Sequence, residues 1–459
     1  MRFRTVSDLY PTRRDLLSIG GFGLLGAWAD ATWPLTVHAS ETVKAQPRGS
    51  ARNVIFFELS GAFSHVEGFD FKENIATPKD LDVREVLPGW HLSRKLLPRT
   101  SEHAQKLAVL RSLASHEEVH FRGQYYLQAG RQINLSFARE IPGVGSVVAS
   151  ELEAQRRTGE NFPLYMSFNL EKGAAGALAT GFLPARFSAV DINPEAAVMG
   201  NPLEAKAVEL IEQRWQLLSQ LRDAGRDRMK KFGREMDGYE SYFDAAHSLL
   251  TDARWPQVYQ VTDEDRQRYG NTGVGLSAIF TRNLLALGGG TRYIHICHSG
   301  WDHHVNIWDK SAESNHYKLS AEFDPAYASL LEDLEKLKLL DNTLVVAMSE
   351  FGRTPGALNS AHGRDHHNKV FPAVFAGAGV KGGRIIGASD KDGARCVETG
   401  WRHKPQPKIE NVIATVYSAL GIDWGKEIRN TPSGRTYTYV DPLSANGYHP
   451  PDELAAIYG

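Results

Sequence analysis

The sequence predicts an α/β fold, with a mostly parallel central sheet covered by helices on both faces. Three observations point there. Short, fully apolar runs such as Val54-Ile55-Phe56-Phe57 have the pattern of strands buried on two sides. Such runs alternate with longer segments whose apolar residues recur at helical spacing, and that alternation is the mark of a parallel sheet. Three of the runs end in loops carrying histidine and carboxylate side chains, where a sheet of this kind binds its ligands.

Residues 1–39 read as an export signal. Thr12-Arg13-Arg14-Asp15-Leu16-Leu17 sets paired arginines before an apolar stretch interrupted by Gly20, Gly21, Gly23 and Gly26. The stretch is shorter and less apolar than the roughly 20 residues a membrane span needs. Val37-His38-Ala39 offers a small-x-small cleavage site before Ser40. This order points to the twin-arginine route and a periplasmic or otherwise exported protein. Residues 40–52 are a polar linker, 53–440 the α/β domain and 441–459 a C-terminal tail.

Within the domain, strands are expected at 54–57, 107–110, 293–297, 343–348 and 371–376. Residues 204–250 are long, charged and helical by periodicity, so 201–260 is expected as a helical insertion. Helices are expected at 273–287, around Tyr327, Leu330, Leu331, Leu334 and Leu337, and at 409–420.

The 459 residues are 42% hydrophobic and 23% charged, a globular balance with a sizeable core. A net charge of -2 with no long basic run excludes the electrostatic footprint of a nucleic-acid binder. No second apolar run reaches membrane-spanning length. Two cysteines, Cys297 and Cys396, exclude a disulfide framework and leave room for one bridge.

The strand-end loops hold the candidate chemistry. Glu58 closes the first strand. His298-Ser299-Gly300-Trp301-Asp302-His303-His304 follows the strand at 293–297, and Ser349-Glu350-Phe351-Gly352-Arg353 follows the one at 343–348. His362-Gly363-Arg364-Asp365-His366-His367 comes just before the next strand. Eight of the 17 histidines lie between His295 and His367. Imidazole and carboxylate at one sheet edge suit a divalent metal, zinc or manganese first, with calcium or magnesium where oxygen ligands dominate. His316, His403 and His449 are expected as surface or capping residues, and His303 and His367 as solvated neighbours of the ligands.

Several motifs resemble a known family: Tyr269-Gly270-Asn271-Thr272-Gly273, Gly300-Trp301-Asp302 with His304, Glu350-Phe351-Gly352-Arg353-Thr354-Pro355, Gly363-Arg364-Asp365-His366 and Gly377-Ala378-Gly379-Val380-Lys381-Gly382-Gly383. They are similar to those of exported bacterial proteins grouped as domain-of-unknown-function family 1501, which looks like a branch of the alkaline-phosphatase and sulfatase-like superfamily. The N-terminal block 61–70 also matches, with Ala62 where a second glycine is usual and Glu67 where aspartate is usual. The resemblance implies an alkaline-phosphatase-like fold and a metal-dependent hydrolase of phosphate or sulfate esters. By position it implies Glu58, Asp302, His304, Glu350 and His366 as metal ligands. Phe351 stands where a further histidine ligand is usual.

The resemblance also directs attention to Ser115 as nucleophile, with His116 or His120 as ligand or general acid. His116 and His120 share a face if this segment is helical. Ser115 with Glu118 equally has the pattern of a helix-capping box. Arg353 and Arg364 are the candidate anion-binding residues, since guanidinium forks fit phosphate or sulfate. Two functions stay open at this point: hydrolysis of a small anionic ester, or an exported binding or assembly protein that has lost catalysis and works with a protein partner.

Overall fold

The computed structural model describes residues 45–170, 180–199, 205–229, 234–444 and 447–459. The expected export signal, 1–39, lies outside these residues. Strand β1, Asn53–Leu59, is buried along its whole length. Its alternate side chains enter two separate cores. Val54 and Phe56 pack with Val346, Ile413 and Val416 on one face. Ile55, Phe57 and Leu59 pack with Ile294, Phe323 and Tyr327 on the other. Phe57 meets Phe323 and Tyr327 edge-on at 6.0 and 5.4 Å. Full burial of each such side chain stabilises by about 1.5–3 kcal/mol.

Seven further strands complete the sheet: β2 Ala108–Leu113, β3 Tyr165–Phe168, β4 Val190–Ile192, β5 Tyr293–His298, β6 Thr343–Met348, β7 Phe371–Ala376 and β8 Arg384–Ile386. Their order is β8-β2-β7-β6-β1-β5-β3-β4. β7 runs antiparallel to both its neighbours, and every other pairing is parallel. The α/β class is therefore as expected. β3, β4 and β8 have no counterpart in the sequence reading, because three or four residues are too few to show a period.

Helices α1 His120–Ala129, α2 Val144–Leu152 and α7 Ile409–Ala419 supply side chains to the Phe56 core. Helices α5 Gly273–Ala286 and α6 His316–Lys336 supply the Phe57 core. α5 starts where the Thr272 side chain accepts from the Gly275 amide, and α6 where Asn315 accepts from Lys318. Within the span expected as a helical insertion lie α3 Ala205–Met229 and α4 Arg234–Leu250, with Trp215 stacked on His247 at 4.3 Å. No helix among the described residues is long and apolar enough to cross a membrane. Both cysteines are free thiols.

Several side chains depart from expectation. His316 is fully buried, boxed by Phe63, Trp301 and Trp308 at ring distances of 5.0 to 5.4 Å. His449 is buried against Asn411, 2.8 Å from Nε2 to Oδ1. His303 is buried too, and that burial pushes its pKa down to about 4. The helix sought around Ser115 begins only at His120, so Ser115 caps no helix and His116 precedes the first turn.

Candidate metal centre

Two glycines let the loops of the sheet edge close on one another. Gly61, just after β1, has φ +101°, and a Cβ there would lie 2.6 Å from the Asp302 backbone nitrogen. Only glycine lets this loop lie against the one that follows β5. Gly123 does the same for α1: a Cβ would meet the Glu350 side chain at 3.0 Å and Phe351 at 3.1 Å. The helix therefore sits directly on the loop after β6, which brings His120 into the site. A two-residue antiparallel pairing of Gly352–Arg353 with His366–His367 folds His366 back over the same point.

His120, Asp302, His304 and His366 converge there, with one ligating atom of each within 4.8 Å of the others. The Nε2 atoms of the three histidines stand 3.0, 3.1 and 3.6 Å from Asp302 Oδ1. Each Nδ1 faces an oxygen acceptor: Glu350 Oε1 at 2.6 Å for His120, Asp365 Oδ1 at 3.0 Å for His304, and the Glu118 carbonyl for His366. An acceptor at Nδ1 keeps the proton there and turns the Nε2 lone pair to the centre, the arrangement that orients metal-ligating histidines. His304 Nε2 and His366 Nε2 are 2.8 Å apart. Two lone pairs repel at that distance unless a proton or a metal cation lies between them.

The electrostatics agree. Burial opposes charge on Asp302, but hydrogen bonds from His120, His366 and Arg353 outweigh it and hold the carboxyl well below its usual range. Burial likewise lowers the pKa of His120, and its bonds to Asp302 and Glu350 reverse this, pushing it up to about 9. Without a cation, the acids of the centre thus draw protons onto its histidines, and a bound metal would take the place of those protons.

The remaining candidates lie around the cluster. Glu58 is fully buried, with Oε2 held by Gln128 Nε2 at 2.8 Å and His295 Nε2 at 2.7 Å. Glu58 Oε1 and Glu350 Oε2 are buried without a hydrogen-bond partner. Phe351 is fully buried, its ring 4.9 Å from that of His120 and 4.8 Å from that of His366. It forms an apolar wall where a ligand was usual. Arg353 is buried, which lowers its pKa; it donates to Asp302, to the carbonyls of Gly61 and Ala62, and to the Arg364 carbonyl at 2.9 Å.

Arg364 is not brought to the cluster. Its guanidinium, fully buried, donates to Glu67 at 2.5 Å and to the carbonyls of Thr354 and Gly356 at 2.7 and 3.0 Å. Ser115 Oγ accepts from the Glu117 amide at 3.1 Å, and its own amide donates to the Asn368 carbonyl. His116 lies beside Lys408 Nζ at 3.0 Å and Glu410 at 3.7 Å. His120 thus parts from Ser115 and His116 and joins Asp302, His304 and His366. Asp365 is not among the ligands the sequence suggested; its place directly before His366 is the sequence signal that it belongs to the site.

Residues 51–446 match the family described as protein of unknown function (DUF1501). The chain belongs to that family. No curated protein matches it. Among solved structures, this family member is similar to a protein in the alkaline phosphatase superfamily from Vibrio parahaemolyticus, at 12% identity and a TM-score of 0.38 over 83% of this chain and 69% of that one. It is also similar to a sulfatase from Pseudoalteromonas sp., at 11% identity and 0.36 over 81% and 68%. A third is the phosphonate monoester hydrolase from Silicibacter pomeroyi, at 12% and 0.37 over 80% and 73%. Similarity this remote transfers no activity.

Proposed function

We propose that this chain is a metal-dependent hydrolase of phosphate or sulfate esters that works outside the cytoplasm. The observation that carries the metal site is the convergence of three oriented Nε2 atoms on Asp302. Three nitrogens and one carboxylate suit zinc or manganese better than calcium or magnesium. His120, Asp302, His304 and His366 would hold the ion. Glu58 and Glu350 each keep one buried oxygen without a partner beside this region, while Phe351 stands where a further ligand of a second ion would be. Bound metal supplies Lewis acidity toward the ester oxygen and a more acidic water.

The chain's own residues orient and screen. Glu350, Asp365 and the Glu118 carbonyl fix the three imidazoles, and Phe351 keeps water from their inner side. Arg353 adds positive charge beside Asp302, where an anionic ester would lie. The ester class rests on the family resemblance. A non-catalytic binding or assembly role is favoured by a different observation: the guanidinium groups of Arg353 and Arg364 already donate to acceptors within the protein, and the Ser115 hydroxyl already accepts from the Glu117 amide.

Elemental analysis of protein purified without chelator, together with turnover of aryl phosphates and sulfates, decides between the two. Stoichiometric zinc or manganese with turnover supports the hydrolase. Full metal occupancy with no turnover of either ester leaves the binding role, and protein without metal, whose melting ignores added zinc or manganese, sinks the site. Export through the twin-arginine route is part of the same proposal. Replacing Arg13 and Arg14 with Lys should leave the precursor in the cytoplasm, and undiminished periplasmic recovery would refute that.

A further inference from the structure

The chain neighbours of the cluster histidines are large, apolar and open to solvent. Val119 and Phe121, on either side of His120, are 56% and 41% exposed, and Val305, next to His304, is 57% exposed. Single exposed apolar residues are ordinary on a protein surface. These three, however, adjoin one site. The ring of His366 lies 4.4 Å from that of His120 and 4.6 Å from that of His304. With about 3.8 Å between successive Cα atoms, the backbones of the three apolar residues lie beside the cluster rather than scattered over the surface. The cluster is itself open to solvent, the Asp302 side chain being 47% exposed.

A second observation is independent of exposure. Val119 occupies the N-cap of α1 and makes no side-chain cap hydrogen bond. Valine is among the poorest residues for that position, where Ser, Asp or Asn would satisfy an amide. A residue that is both exposed and wrong for its local structure marks a place where sequence serves something other than stability.

The charges on the rim narrow the choice. Glu118 and Asp365 are exposed beside the cluster, and Arg122, next to Phe121, is paired with Glu117 at 2.6 Å. A ligand bearing further anionic groups beyond its ester would be repelled by these acids, with Arg122 already paired, whereas an aryl or alkyl group would find Val119, Phe121 and Val305.

We propose that the substrate's organic group is apolar, aryl or alkyl, and that Val119, Phe121 and Val305 receive it. The proposal rests on the ester-hydrolase reading above and names its substrate class.

The test uses metal-loaded full-domain protein and alkylphosphonates from methyl to octyl, whose carbon–phosphorus bond resists ester hydrolysis, with binding followed by calorimetry and metal content measured on the same samples. Affinity is expected to rise roughly two- to fourfold for each of the first few methylenes, the upper figure being that of a fully buried methylene. Combining Val119→Ser, Phe121→Ser and Val305→Ser should flatten the series. Val119→Asp guards against a trivial folding defect: it supplies the missing cap, so the melting temperature should rise while octylphosphonate affinity falls. Metal-loaded wild-type protein that binds every chain length equally, or binds none, overturns the inference and leaves the metal site standing. Protein that holds no metal overturns the underlying reading, and this inference with it.

Discussion

Glu350 and His120 lie 230 residues apart in sequence and 2.6 Å apart at Oε1 and Nδ1. The Gly61 amide donates to the same carboxylate oxygen at 2.9 Å. One buried acid thus ties the β1 loop, the start of α1 and the end of β6 together and points His120 Nε2 at Asp302.

Glu350→Gln tests that tie. Glutamine keeps the shape and can still accept from Nδ1, but it removes the charge that stabilises His120 and a bound ion. Metal affinity is expected to fall about ten- to a hundredfold, the usual cost of losing a group that orients a ligand. Ester hydrolysis should fall at least tenfold, about 1.4 kcal/mol of transition-state stabilisation. Metal titration and kinetics on one preparation check both, and unchanged affinity would show that Glu350 does not act through His120.

Much of the scaffold could be read directly from the chain, for a physical reason. A strand covered on both faces must be apolar at every position, so β1, β5, β6 and β7 announce themselves, and the residues after β5 and β6 follow. That is why Asp302, His304 and Glu350 were legible. His120 was grouped with Ser115 and His116 because the family resemblance pointed to that segment as a helix start, whereas α1 begins only at His120. The commitment of Arg364 to Glu67, across 297 residues, leaves no trace in local sequence. The burial of His316 was hidden too, since the Phe63, Trp301 and Trp308 box is assembled from separate segments.

Ala62 stands where the family resemblance favours glycine, and its φ is +69°. Left-handed backbone strains any residue with a Cβ, by about 1–2 kcal/mol for a typical L-residue, while glycine adopts it freely at some entropic cost. Ala62→Gly should therefore raise unfolding free energy by about 0.5–1 kcal/mol in denaturant titrations. Gly61→Ala should do the reverse and weaken metal binding as well, because its Cβ would press on the Asp302 backbone. A stability loss in Ala62→Gly would mean that the alanine methyl packs better than its backbone suffers.

His65 predicts an acid-side loss of stability. It is fully buried, Nε2 donates to the Gly393 carbonyl at 2.8 Å, and Nδ1 accepts from the Arg353 amide at 3.4 Å. Burial pushes its pKa down from 6.5 to about 4. The folded state therefore holds His65 neutral where the unfolded chain takes up a proton. Its contribution is present in full above about pH 6.5, declines as pH falls and is gone below about 4, worth at most about 3 kcal/mol. Denaturation of metal-free protein between pH 7 and 4 should show this slope, and His65→Gln should reduce it. An equal slope in both proteins would assign the loss to other groups.

Ser115 separates two mechanisms. Its hydroxyl accepts from the Glu117 amide, so Ser115→Ala removes one hydrogen bond and should cost about 1 kcal/mol of stability whatever the chemistry. Its backbone amide stays on the Asn368 carbonyl, two residues from His366, so the substitution leaves the loop anchored beside the cluster. If Ser115 is the nucleophile, turnover should nearly vanish at unchanged metal content, because the attacking oxygen is gone. If water attacks instead, turnover should fall by less than about threefold, in line with the small stability loss. Measuring turnover, metal content and unfolding on the same Ser115→Ala sample distinguishes these outcomes, and a loss of metal alongside turnover would show that the loop rather than the hydroxyl is what the site requires.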